Sequence, residues 1–277
     1  MGLRRVIFPS VILVTIFLAA GAAAQDCQDF AAYLRPAGLL ETDYVNDVDI
    51  AGDIAFHLAG GGLKVLDISD PDAPLPIAEH ACGNGAWNLH RCGDLIFIGG
   101  VWGQIEIVDV SDPEAPFQAG AFTVNEYPEI DSIAVDEDAD LLYCFGGKDL
   151  LGIGWAGYIH VYDIADLAAP QLLYGSGPIY FAQRGSLIFR DGYLYWMRTL
   201  VSDEETGAVS VLRFDTQMNE LVTLVSDGLP GLCVAFDIEG SLLYLCNNTG
   251  NGIRILTYDI SSPEAMTLLS STPSWKT

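Results

Sequence analysis

The chain is 277 residues long and carries a formal net charge of −25, with lysine only at Lys64, Lys148 and Lys276. A field of that sign repels nucleic-acid phosphates and anionic lipid surfaces, and no basic stripe overrides it. Nucleic acid is therefore excluded as an expected partner. The acidity is expected to serve solubility, with metal cations or cationic partners allowed but not required.

Residues 1–24 read as an export leader. Arg4 and Arg5 form a positive start, Val6–Ala20 is almost wholly apolar, and Ala22-Ala23-Ala24 is a small-residue cleavage site, which puts the mature start at Gln25. The apolar stretch is short for a membrane span of about 20 residues. Cleavage near Ala24 is thus expected over a retained anchor, and the product is expected to be secreted, periplasmic or on the cell surface, with no transmembrane anchor. Losing the leader takes the charge to −27. All six cysteines (Cys27, Cys82, Cys92, Cys144, Cys233, Cys246) lie in the mature part. An even count in an exported chain suggests disulfides.

From Val45 onward the chain repeats. LKVLDISDPDAP at Leu63–Pro74 returns as IEIVDVSDPEAP at Ile105–Pro116 and more weakly as IHVYDIADLAAP at Ile159–Pro170. Eroded copies follow at Val211–Glu220 and Ile255–Met266. The Asp closing each apolar run is Asp67, Asp109, Asp163, Asp215 and Asp259, at spacings of 42, 54, 52 and 44. A period of this size marks stacked supersecondary units.

Each unit opens with two short apolar runs around a turn, as in Val45–Ile50 and Ile54–Leu58 around Ala51-Gly52-Asp53. An aromatic recurs in the second run: Phe56, Phe97, Tyr143, Tyr195 and Tyr244. Such runs read as strand hairpins. A third strand ends at the repeated Asp and a fourth follows the second Pro. Four strands in up-and-down order make a propeller blade.

The expected fold is all-β: a β-propeller of four-stranded antiparallel blades, five by count and six as the alternative. Residues 45–277 form one propeller domain. Residues 25–44 are expected to close the ring or to begin a further degenerate blade.

The phrases Leu63-Lys64-Val65-Leu66-Asp67 and Ile105-Glu106-Ile107-Val108-Asp109, each preceded by a hairpin such as Gly93-Asp94-Leu95-Ile96-Phe97-Ile98-Gly99, resemble the LVIVD repeat family. The resemblance covers about Val45 to Ser270 and is poorest in the fourth unit, where the Pro after Asp215 is lost. It implies a β-propeller on an exported or cell-surface protein. It brings no shared catalytic set, so no functional residue is carried over.

The repeated Asp and the Ser-Asp-Pro after it fall where one strand must reverse into the next, where Asp accepts backbone N–H bonds and Pro presets φ. A structural role is expected. Its rival is calcium held by Asp67 with Asp70, or Asp109 with Asp112, without the spacing of a known calcium loop. No cofactor is otherwise expected. The recurring aromatic reads as interblade core. A two-residue turn at Glu239-Gly240 would set Cys233 opposite Cys246, with Cα atoms about 4.5 Å apart, and a disulfide is expected there.

The interval from the aromatic to the repeated Asp lengthens in the last three units. The added residues fall between the second and third strands, so long loops are expected on one face at Gly146–Gly157, Arg198–Gly207 and Asn247–Gly252. Loops on a rigid scaffold carry specificity. The candidate binding residues there are Lys148, Asp149, Trp155, Arg198, Glu204, Asn247, Asn248 and Asn251. Asn247-Asn248-Thr249 also fits a glycosylation acceptor.

The expected function is non-enzymatic binding of an envelope or extracellular protein or glycan through this face. One alternative is a hydrolase or lyase using Asp47, Asp49 and His90 of the channel strands as acid and base. Another is a purely structural surface repeat.

Overall fold

The computed structural model describes residues 45–272 except 84, 125–128, 151–153, 181 and 201–205. The leader, residues 25–44, Cys27 and Glu204 lie outside the described residues.

Twenty-one strands build five antiparallel sheets. Blade one holds β1 (Val45–Ala51), β2 (Ile54–Ala59), β3 (Gly62–Asp67) and β4 (Leu75–Ala81). Blade two holds β5 (Ala86–Cys92), β6 (Leu95–Gly100), β7 (Gln104–Asp109) and β8 (Phe117–Thr123). Blade three holds β9 (Glu129–Asp136), β10 (Leu141–Leu150), β11 (Gly154–Asp163) and β12 (Gln171–Gly175), with a short fifth strand, β13 (Ile179–Tyr180), on the upper part of β11. Blade four holds β14 (Ala182–Arg190), β15 (Tyr193–Leu200), β16 (Thr206–Asp215) and β17 (Glu220–Pro230). Blade five holds β18 (Leu232–Glu239), β19 (Leu242–Asn248), β20 (Ile253–Asp259) and β21 (Thr267–Ser271). Each sheet is ordered along the chain, as an up-and-down meander requires. The fold is a five-bladed β-propeller of the expected class.

The first strand of each blade is the innermost. β1, β5, β9, β14 and β18 pack each on the next. Because strands alternate in direction, the turns between second and third strands emerge on one face, together with the links from each outer strand to the next inner one. This is the upper face. The repeated Asp turns emerge on the lower face.

Those lower turns are Asx turns in every blade. The Oδ1 atoms of Asp67, Asp109, Asp163, Asp215 and Asp259 accept the backbone N–H two residues on, at 2.8, 2.9, 2.9, 2.9 and 2.8 Å. The Ser111 hydroxyl also donates to Asp109 at 2.6 Å. Hydrogen bonds from Ser69, Ser111 and Ser261 hold the carboxyls of Asp67, Asp109 and Asp259 below the usual range. Asp70 and Asp112 make the same bond to Asp72 and Glu114. The role expected of the repeat as turn chemistry is thus visible bond by bond.

Four buried cores lie between blades. Phe56, Leu63 and Val65 of blade one pack on Ile96, Ile98 and Val108 of blade two. Phe97 faces Leu142 and Cys144 of blade three, Tyr143 faces Leu194 and Trp196 of blade four, and Tyr195 faces Leu243 and Leu245 of blade five. Full burial of one such side chain contributes about 1.5–3 kcal/mol, so these wedges are the main cohesion between sheets.

A second device is polar. Asp47 Oδ2 accepts the Leu89 N–H of blade two at 2.9 Å. Asn88 donates from Nδ2 to the Ile130 carbonyl of blade three at 2.5 Å, and Ser132 Oγ accepts the Leu187 N–H of blade four at 2.9 Å. Positions that align along the inner strands thus tie blade one to two, two to three and three to four.

Candidate functional site

A groove of about 510 Å³ opens on the upper face between blades one and two. Cys82 and Gly83, on the link from β4 to β5, form one wall. Gly100 and Gln104, flanking the β6–β7 turn, form another, and Gln118 and Phe122 of β8 close the outer side. Glu106 of β7, which lines the groove, meets His80 of β4, Oε1 to Nε2 at 2.8 Å. The Gly83 N–H donates to the other carboxylate oxygen at 3.2 Å. Both side chains are mostly buried, so the Glu106 carboxylate is held in place against the groove. The Cys82 thiol donates to the His80 carbonyl, and burial with the nearby Glu106 charge pushes it up to about 12, which makes it a wall rather than a nucleophile.

Two exposed tryptophans adjoin lining residues along the chain: Trp87 follows Ala86, and Trp102 falls between Gly100 and Gln104. Trp102 is 71% exposed and Trp87 is 51% exposed. Trp102 occupies the β6–β7 turn with φ 64, followed by Gly103 with φ 69. Two successive positive φ values define the tight hairpin turn that favours Asn-Gly or Gly-Gly. Blade one makes the matching turn with Gly60 and Gly61, φ 60 and 83. Blade two therefore places a bulky indole where its neighbour uses glycine, at a cost of about 1 kcal/mol.

Trp87 is displayed by a different irregularity. The inner pair of each blade has a register shift, and in blade two it falls between Ala86 and Asn88. Trp87 is the bulged residue, and a bulge re-aims a side chain away from the sheet. Ala86, its neighbour, lines the groove. Sequence reasoning missed both indoles, as well as His80 and Glu106. The signal lay in comparing the turns Gly60-Gly61 and Trp102-Gly103.

The residues expected to carry binding are placed differently. The added length of blades three and four extends strands rather than loops: β10 pairs with β11 as far as Leu150 and Gly154, and β15 with β16 as far as Leu200 and Thr206. Lys148, Asp149 and Trp155 thus lie on a raised hairpin, with Lys148 Nζ 5.7 Å from the Tyr158 ring centre. Arg198 is folded inward. Its guanidinium stacks 4.2 Å from the Trp196 ring and donates to Ser210 Oγ at 2.8 Å.

Asn247 is wholly buried, donates to the Leu232 carbonyl and accepts from Arg254 Nε. A glycosylation acceptor needs an accessible amide, so the folded chain does not offer the Asn247-Asn248-Thr249 site. Asn248 caps a turn by accepting the Gly250 N–H, and Asn251 is exposed on the same turn. The loop expected at Asn247–Gly252 shrinks to the residues between β19 and β20.

In the channel, both Asp47 oxygens accept backbone amides, from Val48 at 2.8 Å and Leu89 at 2.9 Å. Burial raises its pKa despite these bonds. Asp49 of blade one lies 3.7 Å from Arg91 Nε of blade two. Burial lowers the pKa of His90, with Asp49 opposing and Arg91 adding to the effect. Asp49 and His90 are therefore brought close, while Asp47 is committed to the interblade tie. Among the described residues, no group of three His, Cys, Asp or Glu side chains is assembled that could hold a metal. In the turn aspartates Asp67, Asp70, Asp109 and Asp112, Oδ1 accepts a backbone amide.

The expected disulfide is not formed: Cys233 and Cys246 are free thiols. The hairpin turns at Gly240-Ser241, with Glu239 opposite Leu242, and a bulge between Cys233 and Ala235 shifts the pairing again. Cys233 lies opposite Asn247 and Cys246 opposite Ala235. Neighbouring strand positions point to opposite faces, so the two thiols lie on opposite sides of the sheet. The expectation failed on a one-residue shift of the turn.

The fold and groove define a β-propeller with a ligand-sized cleft on one face. Residues 43–77 and 84–124, within blades one and two, are similar to the LVIVD repeat. No curated protein matches it in sequence. Among solved structures it is similar to a protein from Lactobacillus plantarum (15% identity, TM-score 0.55, covering 84% of this chain and 72% of that one). It is also similar to a protein from Desulfotomaculum acetoxidans (13% identity, TM-score 0.59, 82% and 71%). At these identities the likeness concerns the fold alone. Among the described residues, no helix is long and apolar enough to cross a membrane.

Proposed function

We propose that the protein is an exported, non-enzymatic binding propeller that takes a neutral glycan in the upper-face groove of blades one and two. The observation that carries this reading is Trp102: a solvent-exposed indole held at φ 64, where the neighbouring repeat has glycine. Backbone strain persists where surrounding structure enforces it, and it concentrates at ligand clamps. The C–H face of a pyranose carries partial positive charge and stacks on the negative face of an indole. Gln104 and Gln118 offer amides to sugar hydroxyls, and Glu106 offers an acceptor.

No Lys or Arg lines the groove, and the chain carries −25. That balance disfavours sulfated or uronic glycans. Export rests on the leader at residues 1–24.

The test is a glycan array followed by titration calorimetry on the full chain. Neutral oligosaccharides are expected to bind, and Trp102→Ala to weaken them by about tenfold. Selective capture of anionic glycans or of a protein, or binding indifferent to both Trp102→Ala and Glu106→Gln, would overturn the reading.

The enzymatic alternative has one observation in its favour: the half-buried His90 lies near Asp49. Turnover of ester, glycoside or phosphoester panels, lost in His90→Ala, would establish it.

A further inference from the structure

The few cations of this chain are not all matched with carboxylates. Against a net charge of −25, Lys64, Arg91, Arg190 and Arg213 each have a carboxylate neighbour, at 3.0, 3.7, 3.6 and 3.6 Å. Arg254 donates its Nε to Asn247, and Lys148 lies over the Tyr158 ring. Arg198 is half-buried and, among the described residues, has no carboxylate partner. Burial works against its charge and lowers its pKa. A desolvated guanidinium without a counter-ion is costly, and an incoming anion relieves that cost.

The guanidinium is also held in one geometry. It lies 4.2 Å from the centre of the Trp196 ring and donates from Nη1 to Ser210 Oγ at 2.8 Å. Ser210 Oγ in turn bonds Ser226 Oγ at 2.8 Å, and Ser226 is exposed, so this line of contacts reaches solvent. Most of the N–H donors of the fork stay unused among the described residues. Trp196 itself is 6% exposed, and its Nε1 is buried without a hydrogen-bond partner.

Blade three supplies the opposite wall. Phe145 packs on Trp196, with ring centres 5.8 Å apart. The next positions up on those two sheet faces are Gly147 and Arg198. A Cβ on Gly147 would meet Trp155 Nε1 at 2.5 Å, so the Trp155 indole lies over the glycine. That Nε1 is likewise buried without a partner. Asp149 follows on the same face of blade three, is exposed, and forms no ion pair with Arg198. The place thus gathers a guanidinium fork and two indole N–H groups, with hydroxyls as its only neighbouring side-chain acceptors.

We propose that the upper cleft between blades three and four is a second binding site, which takes the carboxylate of a small monoanionic ligand on Arg198 and the indole N–H groups of Trp155 and Trp196. A carboxylate matches the planar fork bidentately. Its oxygens keep lone pairs for the indole donors. The negative field of the chain penalises each further charge, which favours a carboxylate over a phosphate or sulfate dianion. The site shares no residue with the groove of blades one and two and is tested apart from it.

The experiment is titration of the full chain with acetate and with benzoate, followed through the indole N–H resonances in proton–nitrogen correlation spectra. Single Trp→Phe variants assign those resonances. The Trp155 and Trp196 signals are expected to move downfield and saturate, while those of Trp87 and Trp102 stay in place. Arg198→Gln is expected to weaken binding at least about tenfold. Should that variant fail to fold, Arg198→Lys, which keeps the charge and loses the fork, is expected to weaken it in the same direction. Indole signals that never saturate, affinity unchanged in the folded Arg198 variant, or tighter binding of phosphate or sulfate than of carboxylate would each overturn the proposal.

Discussion

Asp47 of blade one accepts the Leu89 amide of blade two through Oδ2 at 2.9 Å, while its Oδ1 accepts the amide of Val48. One carboxylate therefore both shapes its own strand and clamps the next. Asp47→Ala leaves the Leu89 N–H without its partner in a half-buried site. The expected loss is about 1–3 kcal/mol, read as a lower urea midpoint. Ser132→Ala, which removes the equivalent tie to Leu187, is expected to act in the same direction.

Trp102→Gly separates stability from recognition. Glycine fits the left-handed turn that Trp102 now occupies at φ 64. The variant is expected to gain about 1 kcal/mol in equilibrium unfolding and to lose glycan binding. A variant that loses both would show that the indole supports the turn instead of a ligand.

Acid is expected to weaken the fold through two histidines. Burial lowers the pKa of both His57 and His90 below the ordinary histidine value of about 6.5. Above 6.5 both are neutral whether the chain is folded or unfolded. As pH falls below 6.5, the unfolded chain takes up protons that the folded chain refuses, so stability is lost from there toward the folded pKa values. Urea midpoints are expected to fall between pH 7.5 and pH 5.5, and His57→Gln with His90→Gln to flatten that dependence.

Reductant is expected to leave the thermal midpoint unchanged, because Cys82, Cys92, Cys144, Cys233 and Cys246 are free thiols. Under native conditions Cys246 is expected to alkylate before Cys144. Cys144 is wholly enclosed, and burial pushes its thiol up to about 12. Mass spectrometry of briefly labelled protein checks the order.

The architecture was legible because each repeat states its own geometry. A β-branched run, an Asp that caps its own turn and an aromatic two strands deep recur often enough to fix strand order and blade number. Register was less legible. The Cys233–Cys246 expectation assumed a turn at Glu239-Gly240, and the real turn at Gly240-Ser241 with its bulge reversed which thiol faces the core. Nothing local in the letters announces a bulge. The added residues near Lys148 and Arg198 were read as loops because they break the family phrase, yet the backbone pairs them into longer strands. The groove was missed for a different reason: His80 and Glu106 are 26 residues apart and belong to different blades.

The irregularity in the inner strands has a consequence for altering this molecule. Asn46, Trp87, Asp131, Gln183 and Val234 are each the extra residue where inner-pair register shifts. A position outside the ladder can change without disturbing the hydrogen bonds on either side. Asn46 is tied down, since its side-chain amide donates to the Ala86 carbonyl of blade two at 2.8 Å, whereas Trp87 and Val234 are exposed, so a combinatorial library confined to those two would diversify the rim while sparing the scaffold.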